Sequence, residues 1–147
     1  MHVKLNYSQI SNKVYVGTNM CCQTHFDEEL LKKGVNADIS LEKEKIDAAQ
    51  GVDYYLWLPV ADHEAPTQKQ LHLGVTAMNK MIQMGDTVYV HCKNGHGRSP
   101  TLVVAYLIND GKSLEDAIKL IQEKRPEVHI EDVQMEALKQ YEDEHKG

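Results

Sequence analysis

With 147 residues, 41% apolar and 26% charged, the chain has the size and balance of one globular domain, which excludes disorder and a fibrous repeat. Acidic residues outnumber basic ones by 22 to 16, for a net charge of −6, which argues against nucleic acid as a partner because a phosphate backbone requires a basic footprint. The longest apolar run, Leu102 to Ile108, is far short of the ~20 residues of a membrane span, and the opening Met-His-Val-Lys-Leu-Asn lacks the build of a secretory signal.

A single domain over 1–147 is therefore expected, soluble and cytoplasmic, with its core at about 13–141. Three cysteines (Cys21, Cys22 and Cys92) are an odd number without a repeated Cys-x-x-Cys spacing, so neither a disulfide framework nor a structural metal site is expected. The 16 cations include only two arginines, Arg98 and Arg125. Each raises the question of which planar anion it holds, a surface salt bridge being the commoner use.

Lys13 to Gly17 is short, β-branched and closed by glycine, and predicts a strand. His25 to Lys33, stopped by Gly34, predicts a short helix. Val35 to Leu41 and Asp53 to Val60 are further strands. The second is apolar on both alternating faces, as in a strand covered on both sides. Thr67 and Gln70 make a capping box, behind which Leu71, Val75, Met78 and Ile82 repeat at helical spacing to Gly85. Thr87 to His91 is a strand. Arg98 to Asn109 is apolar nearly all round and predicts a buried helix.

Ser113 with Asp116 caps another helix, carrying Leu114, Ala117, Ile118 and Ile121 and stopped at Pro126. A last helix, Glu131 to Glu144, directs Val133, Ala137, Leu138 and Tyr141 inward and ends in a solvated acidic turn at Glu142 to Glu144. Strands alternating with helices specify an α/β fold, a central mostly parallel sheet flanked by helices, with ligands at the carboxyl ends of the strands. Two loops on that edge carry the chemistry, one after Val60 and one after His91.

The second loop reads His91-Cys92-Lys93-Asn94-Gly95-His96-Gly97-Arg98-Ser99-Pro100. Two glycines let it curl so that consecutive N–H groups converge on an oxyanion, and the following helix N-terminus adds positive potential. Arg98, in the first helical turn, can clamp two oxygens of the same anion. Cys92 lies at the bottom of this positive cup, surroundings that favour thiolate over thiol. Ser99 is placed to hydrogen-bond the sulfur, His91 to orient the loop from behind, and Lys93 and His96 to tune what binds. A thiolate in an oxyanion cradle is arranged to attack phosphorus. The plain alternative is a buried structural cysteine beside a glycine turn.

This stretch resembles the signature of the cysteine-dependent protein tyrosine phosphatases, His-Cys-x5-Arg-Ser/Thr, in their small dual-specificity branch. His91, Cys92, Arg98 and Ser99 match it. The similarity extends from about Lys13 to Tyr141 and includes Val14-Tyr15-Val16-Gly17, Arg98-Ser99-Pro100 and Arg125-Pro126. It departs at Ile130-Glu131, where many relatives carry Pro-Asn or Pro-Thr, so the loop before the last helix is expected to be organised differently. The resemblance implies a shallow, loop-lined site, with the loop residues Lys93, Asn94, Gly95, His96, Gly97 and Arg98 binding the phosphate.

The chemistry also needs a proton donor for the departing oxygen. Val60-Ala61-Asp62-His63-Glu64 offers three candidates on proximity alone, Asp62, His63 and Glu64. In the resembled family the acid is an aspartate about thirty residues before the cysteine, which selects Asp62. Of the remaining signals, Cys21 and Cys22 are adjacent and so poorly placed to bridge each other or hold one metal, and a disulfide to Cys92 under oxidation is only the minor alternative to free thiols. His2, His25, His72, His129 and His145 are scattered and expected to be solvated. Gln134 falls near a position where some relatives hold the hydrolytic water.

The sequence thus implies metal-independent phosphomonoester hydrolysis through a phosphocysteine, with no cofactor. A phosphorylated protein is the expected substrate, phosphotyrosine first and phosphoserine or phosphothreonine second. A phosphate on an inositol lipid, sugar or nucleotide is the alternative. A phosphate-binding module without catalysis and a sulfur-transfer or redox domain are the other classes, and neither has a use for Asp62. Oligomeric state leaves no mark on the pattern.

Overall fold

The structure is a computed structural model that describes residues 5–19 and 25–146. Among them the elements run β1 (Tyr7–Ser11), β2 (Val14–Gly17), α1 (Glu28–Lys32), β3 (Val35–Glu42), β4 (Tyr54–Val60), α2 (Gln68–Gln83), β5 (Thr87–His91), α3 (Arg98–Asn109), α4 (Leu114–Lys124) and α5 (Asp132–Lys146). The strands form one sheet in the order β1-β2-β5-β3-β4. β1 runs antiparallel to β2, and the other pairings are parallel. This is the expected α/β architecture. Cys21, Cys22 and His2, to which the sequence assigned a redox role or solvent exposure, lie outside the described residues.

Alternation along the strands gives the sheet two unlike faces. Val14, Val16, Ala37, Ile39, Leu41, Leu58, Val60, Val88 and Val90 point to one side and join Leu71, Val75 and Met78 of α2 and Leu102 to Ala105 of α3 in the main core. The other side carries Tyr15 and Tyr89 against Phe26 and Leu30. It turns polar toward the carboxyl edge, where Ser40 pairs with His91 and Asp38 with Tyr89. α3 is buried along almost its whole length, as its composition requires. Its first residue is therefore fixed by the packing of all that follow.

The helix ends follow their capping chemistry. Thr67 and Gln70 form the reciprocal box on α2, and Ser113 accepts the Asp116 amide on α4. α1 is shorter than the predicted 25–33, because Asp27 rather than His25 accepts the first free amide, that of Leu30. No helix among the described residues is long and apolar enough to cross a membrane.

Four expectations are corrected. β1 was not predicted, since Ile10 is its one buried residue and it shows no alternating apolar signal. β4 is an edge strand with Tyr54 and Trp57 39% and 38% exposed, not a strand covered on both faces, because its neighbour on the far side is solvent. Val133 is 49% exposed, and α5 instead turns the buried Gln134 inward. The acidic end of α5 is tied down: Glu142 accepts the Leu114 amide (2.7 Å) and Glu144 pairs with His72 (3.2 Å).

Candidate active site

The loop between β5 and α3 curls at the carboxyl edge of the sheet with Cys92 at its base, 3% exposed. Gly95 adopts φ +68°, and its N–H donates to Cys92 Sγ at 3.3 Å. A side chain there would also collide with Gly17, since an added Cβ would lie 2.7 Å from its carbonyl oxygen, so glycine is required on both counts. Ser99 Oγ sits 3.3 Å from the sulfur, in the first turn of α3.

Arg125 holds the loop from outside. It is fully buried, donating from Nε to Gly95 O and from Nη2 to Asn94 O, both at 3.0 Å. Nη1 reaches Asn6 Oδ1 (3.0 Å) and Ser8 Oγ (3.1 Å). Because a peptide is planar, drawing these carbonyls outward turns the amides that follow them toward the cup. The second arginine is thus a clamp on the loop rather than an anion binder or a surface ion pair. Arg125→Met should orphan two buried carbonyls at about 1–3 kcal/mol each. It should also slow aryl phosphate hydrolysis by about 10²-fold through loop misplacement. Wild-type kcat/KM in that variant would show that the loop holds its own shape.

Arg98 has a buried side chain with three donors engaged. Nη1 donates to Glu44 Oε1 and to Val60 O (2.8 Å), and Nη2 to Glu44 Oε2 (3.1 Å). The hydrogen bond from Arg98 holds the Glu44 carboxyl below the usual range. Glu44 was missed by the sequence reading. It lies 54 residues from its partner, and its one signal is its position just past the carboxyl end of a strand.

Asp62 stands half exposed on the loop after β4, with Oδ1 3.7 Å from Arg98 Nη2 and accepting the His63 amide at 3.0 Å. His63 takes φ +67° and bonds Glu131 Oε2 through Nδ1 at 2.8 Å, which raises its pKa, with the Asp62 charge adding to the effect. Glu131 thereby ties this loop to the start of α5, at the very place where the sequence departs from the family pattern. Gln134 completes the tie: Oε1 accepts the Glu131 amide (2.9 Å) and Nε2 donates to Glu64 O (3.1 Å). The same side chain packs on Gly97, where an added Cβ would meet its Oε1 at 2.8 Å.

These groups enclose a cavity of about 280 Å³, lined by Asp62, His63, Cys92, Asn94, His96, Gly97, Arg98, His129, Glu131 and Gln134. Residues 14–144 match the family described as dual specificity phosphatase, catalytic domain. The chain belongs to the dual-specificity phosphatase family. The phosphatidylglycerophosphatase and protein-tyrosine phosphatase 1 of Rattus norvegicus is 44% identical over 77 residues, which are 52% of this chain and 40% of that protein. Human dual specificity protein phosphatase 5 is 29% identical over 119 residues, 80% of this chain and 31% of that one. These matches span well under two thirds of the curated relatives' own length. Among solved structures, PTPMT1 in complex with PI(5)P superposes with a TM-score of 0.85 at 31% identity, covering 95% of this chain and 96% of that one.

Of the residues expected in this dual-specificity phosphatase site, Cys92, Arg98, Asp62, Asn94, His96 and Gly97 line one cavity, and Ser99 and Gly95 support the sulfur. Lys93 is exposed and does not line it; its charge acts on Glu44 instead. His129 is exposed, as expected, and also borders the cavity, where its amide donates to His96 O at 2.8 Å and draws the two loops together. Gln134 does reach the cavity, with both amide atoms bonded to main chain. His91 is buried behind the loop, as an orienting role requires.

Proposed function

We propose that the chain hydrolyses phosphomonoesters through a phosphocysteine intermediate and prefers a phosphate carried on a small polyol, such as a phospholipid headgroup, to one carried on a protein. In the first step Cys92 Sγ attacks phosphorus in line and the bond to the leaving oxygen breaks. Asp62, which borders the same cavity, gives that oxygen its proton. The inward amides of the loop hold the equatorial oxygens, together with the Nε–H and remaining Nη2–H of Arg98, donors its bonds to Glu44 and Val60 leave free. In the second step Asp62 takes a proton from water as it attacks the phosphocysteine. Inorganic phosphate departs, and Ser99 Oγ donates to the released sulfur. A thiol nucleophile and a carboxyl acid suffice for both steps, so turnover is expected to continue in EDTA.

The polar lining of the cavity carries the substrate reading. Among the described residues no Phe, Tyr or Trp borders it, so the ring of phosphotyrosine finds no apolar wall to bury against, whereas hydroxyls find three imidazoles, two amides and two carboxylates. The printed name of the rat relative and the ligand of the PTPMT1 structure support the same choice, in place of the protein substrate that the sequence favoured. Protein phosphate is the second reading, favoured by the other half of the relative's name and by dual specificity protein phosphatase 5. The test compares kcat/KM on phosphatidylglycerophosphate and PI(5)P in mixed micelles with that on phosphotyrosyl and phosphoseryl peptides, all in EDTA. A lipid preference above roughly tenfold, about 1.4 kcal/mol in the transition state, is expected. Equal or better hydrolysis of the peptides would overturn it.

A further inference from the structure

Behind the cup, on the polar face of the sheet, three ionisable side chains are buried together. His91 Nε2 lies 2.6 Å from Asp47 Oδ2 and 3.0 Å from Asp38 Oδ1, with all three side chains at most 1% exposed. A single N–H cannot bond both carboxylates well. Both oxygens of Asp38 and Oδ1 of Asp47 are without a hydrogen-bond partner among the described residues, as is His91 Nδ1. Two carboxylates facing one imidazolium would leave a buried net charge of −1, which the low-dielectric interior disfavours. One further proton on the cluster removes it.

The groups around the cluster supply a cation to Asp47, through Lys45, but none to Asp38 beyond His91. Tyr55 of β4 accepts the Asp47 amide (3.1 Å), and Tyr89 of β5 stacks on the His91 ring with centroids 5.3 Å apart. Burial pushes the Tyr55 phenol up to about 12 and Tyr89 well above its ordinary value, so both stay neutral. Glu42 of β3 acts on Tyr55, Asp27 and Arg125 act on Tyr89 with opposite sign, and Cys92 follows directly on His91. Lys45 acts on Asp47 from the same segment.

Within the cluster, burial raises Asp38 to about 7 despite the pull of His91. Burial works against Asp47 too, but the adjoining His91 and Asp38 outweigh it and hold its pKa low. The two carboxylates likewise overcome burial at His91 and raise it to about 10. Near neutrality the extra proton therefore sits on Asp38, beside an imidazolium and an ionised Asp47.

The segment that carries Asp47 also carries Glu44, so it is fastened at two points, to Arg98 in front of the nucleophile and to His91 behind it. We propose that Asp47 and Asp38 are positioning residues for the phosphate loop. Asp47 pins the Glu44 segment to the back of the site through the His91 imidazolium, and a proton on Asp38 keeps the cluster neutral so that the cup retains its hold on a dianion. This rests on the phosphatase reading of the cup above.

The sign follows from the charges. As pH rises through neutrality Asp38 releases its proton, the cluster becomes −1, and a dianion in front of it is repelled. Across ~10 Å at an effective dielectric of about 20, one charge changes anion affinity roughly tenfold or more.

The experiment uses sulfate, whose charge is constant over the range, bound to Cys92→Ser protein so that the nucleophile's position carries no charge. Affinity by calorimetry should fall roughly tenfold more between pH 6 and 8.5 in Cys92→Ser than in Cys92→Ser/Asp38→Asn, whose amide mimics the protonated acid. The rim histidines His63, His96 and His129 are the same in both proteins and cancel in the comparison. An equal fall in both overturns this inference alone, whereas no sulfate binding at any pH overturns the cup and the inference together.

A second measurement needs no change at Asp38. Nitrogen-15 spectra of the wild-type chain should show both His91 ring nitrogens protonated at pH 8, and Asp47→Asn should lower the pH at which the ring loses its second proton. A neutral ring in the wild type, an unshifted ring titration in Asp47→Asn, or one equivalent of metal held by the three side chains would each overturn it.

Discussion

Cys92→Ser is expected to abolish hydrolysis of every phosphomonoester, by at least ~10⁴-fold in kcat, while leaving ester binding within a few fold of wild type. The cup does not depend on the sulfur for its shape. Gly95 is held by its own positive φ and by Arg125, Arg98 by Glu44 and the Val60 carbonyl, and Ser99 by the buried first turn of α3. Serine occupies the same space, but at neutral pH its hydroxyl is essentially un-ionised and a far weaker nucleophile than a thiolate. Single-turnover assays with a radiolabelled substrate, alongside equilibrium binding of that substrate, make the check. A Cys92→Ser chain that keeps more than a thousandth of the wild-type rate would show that attack does not proceed from the sulfur.

Asp62→Ala should reveal itself through the leaving group. General acid catalysis contributes about 10²–10⁴-fold, but only where the departing oxygen needs a proton. A nitrophenolate departs as an anion, whereas the alkoxide of glycerol or serine does not. The alkyl substrates should therefore slow by at least about 10²-fold more than nitrophenyl phosphate in the step that forms phosphocysteine. That step must be isolated by single turnover, because Asp62 also serves the hydrolysis that follows. If both classes slow by the same factor, Asp62 shapes its loop and the proton comes from elsewhere. His63 and Glu64 are then next to test, with His63 favoured by its contact with Glu131 on the cavity wall.

What the sequence disclosed was local, and what it withheld was set by distant parts of the chain. The spacing from Cys92 to Arg98 could be read as a cup because strand end, glycine turn and helix start follow one another within ten residues. The buried character of α3 was likewise plain from an apolar run. Glu44, Asp38 and Asp47 were not legible, since a carboxylate within or after a strand looks like solvated charge until the sheet order places β3 beside β5 and brings His91 and Arg98 within reach. The covered strand expected at β4 failed for a related reason. Its residues are apolar enough for an interior position, but position in a sheet is decided by which strands pair, and β4 pairs only with β3. Gln134 displaced Val133 at the start of α5 because it satisfies two backbone groups there, which apolar periodicity does not register.

The grip of Arg125 makes the antiparallel ribbon at the edge of the sheet a remote handle on the chemistry. One guanidinium joins Asn6 and Ser8 to the carbonyls of Asn94 and Gly95, across 119 and 30 residues respectively. A protease nick in that ribbon, or a fusion partner that peels it away, would free Nη1 and let the clamp slacken while the core of the protein stayed folded. Preparations trimmed there would keep their circular dichroism and lose their turnover. Catalytic competence would then report on the integrity of a strand that holds none of the reacting groups.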